Sequence, residues 1–209
     1  MLLMKPYFLV KRMSDLLFAI ILLIIASPIM LIVALAIKAG SNGPVLFKQQ
    51  RPGKHAKVFK VYKFRTMRVE THADGIILTD TERMTKIGSL LRKTSVDELP
   101  QLFNIIRGEM SFIGPRPLLV QYLDHYSTEQ LRRHEVIPGI SGWAQVNGRN
   151  TISWEEKFRL DVWYVDNISF LLDLKIVYLT IKNVLFRKGI NHSNQNTMPL
   201  FTGTQENSI

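Results

Sequence analysis

The feature that most constrains this chain is a stretch of 22 residues, Leu16 to Ile37 (LLFAIILLIIASPIMLIVALAI), that carries no charge. A bilayer's hydrocarbon core of ~30 Å is crossed by about 20 helical residues, so the stretch is long enough to span. Three arrangements fit it: a spanning helix, a cleaved signal peptide, and a re-entrant segment that enters and leaves on one side. A signal peptide has a shorter apolar region of about 7–15 residues, although Ala34-Leu35-Ala36 resembles a cleavage site, and Asp15 at the edge of the stretch also speaks against it. Ser27-Pro28 lies near the centre, where a proline removes a backbone donor and clashes one turn back. Lys5, Lys11 and Arg12 precede the stretch, and Lys38, Lys48, Arg51, Lys54 and Lys57 follow it. Positive charge collects on the cytoplasmic side. A segment folded at Ser27-Pro28 keeps both clusters there, whereas a spanning helix exports one. The re-entrant arrangement is therefore expected, with the plain spanning helix as its alternative.

The whole chain has 209 residues, the size of one domain or one domain with an appendage. Hydrophobic residues make up 46%, which excludes wholesale disorder. Cysteine is absent, so disulfide scaffolds, thiolate metal sites and thiol nucleophiles are all excluded. The 27 Lys and Arg outweigh the 17 Asp and Glu, leaving a formal charge of +10 that favours anionic partners.

Beyond the turn-forming Gly40-Ser41-Asn42-Gly43-Pro44, the runs 44–47 and 58–65 are β-rich and read as a hairpin joined by Arg51-Pro52-Gly53-Lys54. Alternation puts Phe59, Val61, Lys63 and Arg65 on one face, which is either a functional face or one whose cationic stems lie along the core. Helices are expected over 82–93, 99–107, 128–136, 154–164 and 169–187, with a glycine-rich loop at 138–150 and a polar, loose tail from Asn191. Ser153 and Glu156 form a capping-box signature. The helix at 169–187 is apolar enough either to lie in a membrane interface or to be buried in a core.

Three segments carry groups suited to phosphate chemistry. In Ser95-Val96-Asp97-Glu98-Leu99-Pro100, Ser95 and Glu98 fit a capping box. Pro100 would then lie past the first turn, which favours a later helix start and leaves at least one acid for other work. A carboxylate can attack phosphorus, a second can hold Mg²⁺, and Arg92 and Lys93 stand close in sequence to offset charge. Arg116 lies between two prolines, so its backbone is fixed before a ligand arrives, and arginine suits bidentate phosphate recognition. Residues 139–150 combine glycines with Trp143, Gln145, Asn147 and Arg149 as recognition groups, or form a surface loop with structural glycines. The five histidines lack metal-ligand spacing and read as surface residues, and no Walker or dinucleotide glycine pattern occurs.

Tyr62-Lys63-Phe64-Arg65-Thr66-Met67, Ser95-Val96-Asp97-Glu98-Leu99-Pro100-Gln101-Leu102, Gly114-Pro115-Arg116-Pro117 and the run from Pro138 to Arg149 occur in that order behind an apolar block containing Ser-Pro. Together they resemble the bacterial sugar transferases, monotopic polyprenyl-phosphate phosphoglycosyl transferases that start glycan assembly, over about residues 8 to 203. The chain looks like their small catalytic-core form. The resemblance implies an α/β monotopic membrane protein: a re-entrant helix broken at Ser27 and Pro28, a small β-hairpin, and a helical catalytic core with interfacial amphipathic helices. Its expected divisions are a membrane anchor at 1–40, a cytoplasmic catalytic core at 41–190 and a tail at 191–209.

The implied reaction converts a UDP-sugar and undecaprenyl phosphate into polyprenyl-diphosphate-sugar and UMP, with Mg²⁺ as cofactor. The resemblance makes Asp97 the nucleophile of a covalent phospho-sugar intermediate and Glu98, beside Asp97, the metal-associated acid. It assigns Lys63, Arg92 and Arg116 to phosphate, and Gln145 and Arg149 with their loop to the nucleotide or sugar. The expected location is the bacterial inner membrane with the site on its cytoplasmic face. Nucleic acid is not an expected partner, because the basic residues are spread along the chain instead of gathered with aromatics. A homodimer is compatible with the sequence. The competing reading is a non-catalytic, membrane-anchored anion or nucleic-acid binder.

Overall fold

The computed structural model describes residues 5–70, 72–73, 76–148, 152–186 and 200–203. The chain forms two compact units, one of residues 16–49 and 60–107 and the other of residues 1–15, 50–59 and 108–209. Helix α1 (Lys5–Gly40) contributes to both. At 36 residues it is about 54 Å long, well beyond the thickness of a hydrocarbon core. Leu17, Phe18, Ile21, Ile24, Ile25, Leu31, Ile32 and Leu35 are all exposed, an apolar surface that belongs in lipid.

The sequence leads to a break at Ser27 and Pro28, whereas the helix is continuous through both. The reason is local. Pro28 has no N–H to give the carbonyl of Ile24, four residues back, and the Ser27 hydroxyl donates to that same carbonyl at 2.8 Å. The proline's lost bond is replaced from the adjacent side chain, so the helix keeps its backbone satisfied where water is absent.

In the unit of residues 16–49 and 60–107, the Arg65 guanidinium closes the end of α1. It donates to the Ser41 carbonyl and hydroxyl, each at 2.9 Å, and to the Asn42 carbonyl. Strands β1 (Leu46–Pro52) and β2 (Val58–Phe64), which like α1 contribute residues to both units, form the expected two-stranded sheet, but the turn lies at 53–57. His55 and Ala56 adopt left-handed backbone there. Ile37, Phe64 and Leu91 form the buried centre, with Val33, Val45, Ile87 and Leu99 packed around it.

The helix expected over 82–93 is divided. One turn spans Asp80–Arg83, Met84 and Thr85 are extended, and α2 (Lys86–Thr94) follows, its first turn capped by the Thr85 hydroxyl accepting from Gly88 N–H at 2.8 Å. Gly88 permits a close approach, since a Cβ there would sit 1.9 Å from the Thr66 carbonyl oxygen. Helix α3 (Gln101–Arg107) closes the unit.

The other unit is built on two short parallel strands, β3 (Ser111–Ile113) and β4 (Gly139–Ser141), in register Ser111 with Gly139 and Ile113 with Ser141. The glycine-rich stretch is thus not a plain loop, because β4 and helix α4 (Trp143–Asn147) lie within it. The expected helix over 128–136 is one α-turn at Thr128–Leu131 followed by a 3₁₀ turn at Arg132–His134. Helices α5 (Trp154–Asn167) and α6 (Phe170–Leu185) follow. Ile113, Val136, Tyr164, Val165, Ile168, Leu172 and Ile176 form the main core. The start of α1 is fastened to this unit at buried Asp173, which accepts from the Tyr7 hydroxyl at 2.6 Å, the Tyr164 hydroxyl at 2.7 Å, and Lys11 Nζ.

A second core gathers Tyr122, Tyr126, Phe158 and Phe201. Phe201 corrects the reading of a loose polar tail: its ring lies 4.9 Å from Phe158 and stacks on Tyr126 at 5.7 Å. Residues 187–199 and 204–209 lie outside the described residues.

Candidate active site

Asp97 and Glu98 occupy a 3₁₀ turn, Val96–Glu98, between α2 and α3. The chain reaches it through Ser95, which is left-handed (φ 57°) and gives its N–H back to Arg92 at the end of α2. Ser95 therefore ends one helix instead of capping the next, and the capping-box reading of Ser95 and Glu98 is corrected. Helix α3 starts at Gln101, so Pro100 precedes it and breaks no helical bond.

The carboxylate of Glu98 accepts from Lys63 Nζ at 2.6 Å. Asp97 is 8% exposed. Burial pushes its carboxyl above the ordinary carboxylate range and the adjacent Glu98 adds to this, while Lys63 and then Arg92 draw it back down. Arg92 is itself exposed and donates from Nε to the Thr66 hydroxyl at 3.1 Å. The structure thus brings four sequence-predicted residues, Lys63, Arg92, Asp97 and Glu98, to one place. A buried carboxylate with two cations nearby is shielded from water and set among charges that complement phosphoryl oxygens.

Lys63 is placed by a residue that sequence reasoning missed. Asn104, fully buried in α3, accepts from Tyr62 N–H at 3.1 Å through Oδ1 and donates to the Lys60 carbonyl at 2.7 Å through Nδ2. The amide pins β2 on either side of Val61. Asn104 lies in the apolar run Leu102 to Ile106, where a polar side chain is itself a signal.

Arg116 and Gln145 belong to the other unit, and both donate to the Ile140 carbonyl, at 3.4 Å and 3.0 Å. The Gln145 side-chain oxygen is buried with no hydrogen-bond partner among the described residues. Arg149 lies outside the described residues. Trp143 and Asn147 are engaged structurally: Trp143 stacks on Trp163 at 5.1 Å, and Asn147 donates to the Trp143 carbonyl at 2.7 Å. Two cations missed from sequence adjoin Arg116. Burial and the Arg116 charge hold Arg51 below its ordinary range, and burial does the same to Lys157, with Arg133 and Arg116 contributing. His134, read as a surface histidine, is buried and sits against the Gly53 carbonyl through Nδ1 at 3.2 Å.

Asp97 and Glu98 are the acidic donors that a divalent cation such as Mg²⁺ would meet here. No group of three or more His, Cys, Asp or Glu side chains clusters among the described residues. Mg²⁺ commonly takes one or two carboxylates and fills its remaining positions with water and substrate phosphate. Asp97 and Glu98 meet that requirement.

A buried carboxylate with cations nearby and a long, exposed apolar helix together suit a membrane-associated protein. Residues 6–187 match the model of the family described as Bacterial sugar transferase, and the chain belongs to that family. It is 55% identical over 194 residues to the uncharacterized sugar transferase EpsL of Bacillus subtilis (strain 168), covering 93% of this chain and 96% of EpsL. It is 42% identical over 193 residues to the UDP-glucose:undecaprenyl-phosphate glucose-1-phosphate transferase of Klebsiella pneumoniae, covering 88% of this chain. It is likewise 42% identical over 187 residues to the UDP-N-acetylgalactosamine-undecaprenyl-phosphate N-acetylgalactosaminephosphotransferase of Aeromonas hydrophila, covering 86% of this chain. The chain spans 41% and 44% of the lengths of those last two relatives.

Proposed function

We propose that this chain transfers a sugar-1-phosphate from a UDP-sugar to undecaprenyl phosphate, releasing UMP. The observation that carries the reading is the buried Asp97 carboxylate within the electrostatic reach of Lys63 and Arg92, beside a Glu98 that is itself paired with Lys63. The names of the Klebsiella pneumoniae and Aeromonas hydrophila relatives support the substrate class.

In the first step an Asp97 carboxylate oxygen attacks the sugar-bearing phosphorus. A bond forms from Asp97 to phosphorus, the bond from that phosphorus to the bridging oxygen breaks, and UMP leaves with the electron pair. In the second step an oxygen of the lipid phosphate attacks the same phosphorus and Asp97 leaves as a carboxylate. Lys63 and Arg92 stabilise the charge on the transferring oxygens. Within the other unit, Arg116 and Gln145 are the groups suited to phosphate or nucleotide. Glu98 and Asp97 would hold Mg²⁺, which when bound neutralises phosphate charge. Lys63 keeps the Glu98 carboxylate paired until then.

The lipid substrate requires a site at headgroup level. The flanking charges favour a re-entrant α1, bent at Ser27 and Pro28 without loss of helical bonding and returning to the cytoplasmic face. The exposed Phe170, Leu171, Leu174 and Tyr178 of α6 suit the membrane interface. The test is UMP release from purified protein given Mg²⁺ and a panel of UDP-sugars, with and without undecaprenyl phosphate. Lipid-dependent turnover with one sugar, lost in Asp97→Asn, is expected. An anchored anion binder instead gives no turnover and a lipid affinity that falls with salt and ignores Mg²⁺.

A further inference from the structure

We infer that Arg133, itself pinned by Asp161, is the positioning residue of Arg116. The inference rests on the proposed function, in which Arg116 meets substrate phosphate.

Pro115 and Pro117 fix the backbone torsions around Arg116, but neither has an N–H, so much of the segment's anchoring falls to its carbonyls. Both are held. The Pro115 carbonyl accepts from Gly139 N–H at 3.0 Å, beside a further bond from Gly114 N–H to the Ser141 carbonyl at 2.9 Å. The Arg116 carbonyl accepts from Arg133 Nη2 at 2.8 Å. Arg133 cannot drift, because its Nε and Nη2 both donate to Asp161 Oδ2, at 3.1 Å and 2.7 Å. The Tyr126 and Phe158 rings lie against the guanidinium, each 5.8 Å away.

Arg133 and Asp161 are each only 2% exposed. A buried ion pair is a weak source of stability, since an apolar pair of similar volume often serves as well or better. What the pair supplies is direction. A planar guanidinium satisfies a carboxylate and a carbonyl together and so sets where the Arg116 side chain departs from the backbone. Asp161 is placed for this on the core face of α5, in line with Phe158, Val162 and Val165. Lys157, four residues earlier on the same helix, adds a favourable charge to Asp161, but only Arg133 makes direct hydrogen bonds to its carboxylate.

The test is a double-mutant cycle on kcat/KM in the full-length, membrane-reconstituted protein. One arm is Arg116→Ala. The other replaces the pair together, Arg133→Met with Asp161→Leu, so that no lone charge is left buried. The pair variant is expected to melt near the parent temperature yet lose on the order of 10- to 100-fold in kcat/KM, as misplaced groups do. It should raise the same substrate's KM as Arg116→Ala. In the Arg116→Ala background the pair replacement should cost less than about twofold more, because there is no longer a side chain to position. Parent-like activity in the folded pair variant overturns the inference, and so do losses that multiply in the combined protein. Should the pair variant not fold, Arg133→Lys takes its place in the same cycle with the same two outcomes. A parent protein without lipid-dependent UMP release overturns the proposed function and this inference with it, whereas multiplying losses in an active parent overturn the inference alone.

Discussion

Replacing Asn104 with leucine keeps the branching and heavy-atom count of the side chain and removes the amide that makes two hydrogen bonds. The Tyr62 N–H and the Lys60 carbonyl lose their partners at 3.1 Å and 2.7 Å. Each orphaned buried group costs about 1–3 kcal/mol, and because both bonds are only partly buried the low end applies, about 2–3 kcal/mol together. For a chain of this size each kcal/mol moves the melting temperature by roughly 2–4 °C, so Asn104→Leu should melt about 5–10 °C below the parent. The assay is thermal unfolding in detergent followed by circular dichroism, run beside UMP release at a temperature where both proteins are folded. Turnover should fall as well, since Lys63 follows Tyr62 directly and loses its fixed distance to Glu98. A melting temperature within about 1 °C of the parent, with full turnover, refutes the role given to Asn104.

Lys63→Met removes the strongest attraction holding the Asp97 carboxyl down against its burial. A nucleophilic carboxylate must be ionised, so the acid limb of the rate profile should move to higher pH, and an unmoved limb contradicts the assignment. His134 is pushed down from 6.5 to about 4, chiefly by burial and then by Arg133. Between those values the unfolded chain binds the proton and the folded chain does not. Stability should therefore rise with pH across that window and decline as pH falls from about 6.5 toward 4, by up to about 3 kcal/mol. His134→Gln should flatten this dependence in denaturant titrations. Ser27→Ala leaves the Ile24 carbonyl without a donor inside lipid, so the protein in nanodiscs should be destabilised. Adding Pro28→Ala should restore stability by returning a backbone N–H, and a double variant no better than Ser27→Ala contradicts the replacement mechanism.

The parts legible in the sequence are those written in local chemistry. The uncharged run Leu16 to Ile37 appears as a helix with an exposed apolar surface, and the two β-rich runs appear as β1 and β2. Ser153 caps α5 as its spacing with Glu156 implied. Asp97 and Glu98 were visible because paired acids beside Pro100 fit poorly into a helix start. The remainder depends on contacts distant along the chain. Ser95 reads as a cap, but its left-handed backbone makes it the end of α2. Glu98 turns instead to Lys63, 35 residues away. For Arg65 the alternation leaves open a functional face or a cationic stem along the core, and the side chain is buried and consumed in closing the end of α1. Phe201 sits in a polar tail by composition, and only the aromatic cluster of Tyr122, Tyr126 and Phe158 explains its burial. Ser27 and Pro28 carry both lessons: the proline predicts a break, and the hydroxyl beside it bonds the carbonyl the proline leaves free, so helical bonding continues through both.

The central claim is that Asp97 carries the phospho-sugar. Intact-protein mass spectrometry after incubation with Mg²⁺ and the active UDP-sugar, with undecaprenyl phosphate left out, tests it most directly. The account predicts a mass gain of one phospho-sugar located at Asp97, UMP released in equal amount, and loss of the adduct when the lipid is added. An Asp97→Asn protein that still turns over, or a parent that turns over with lipid but never acquires the adduct, contradicts it.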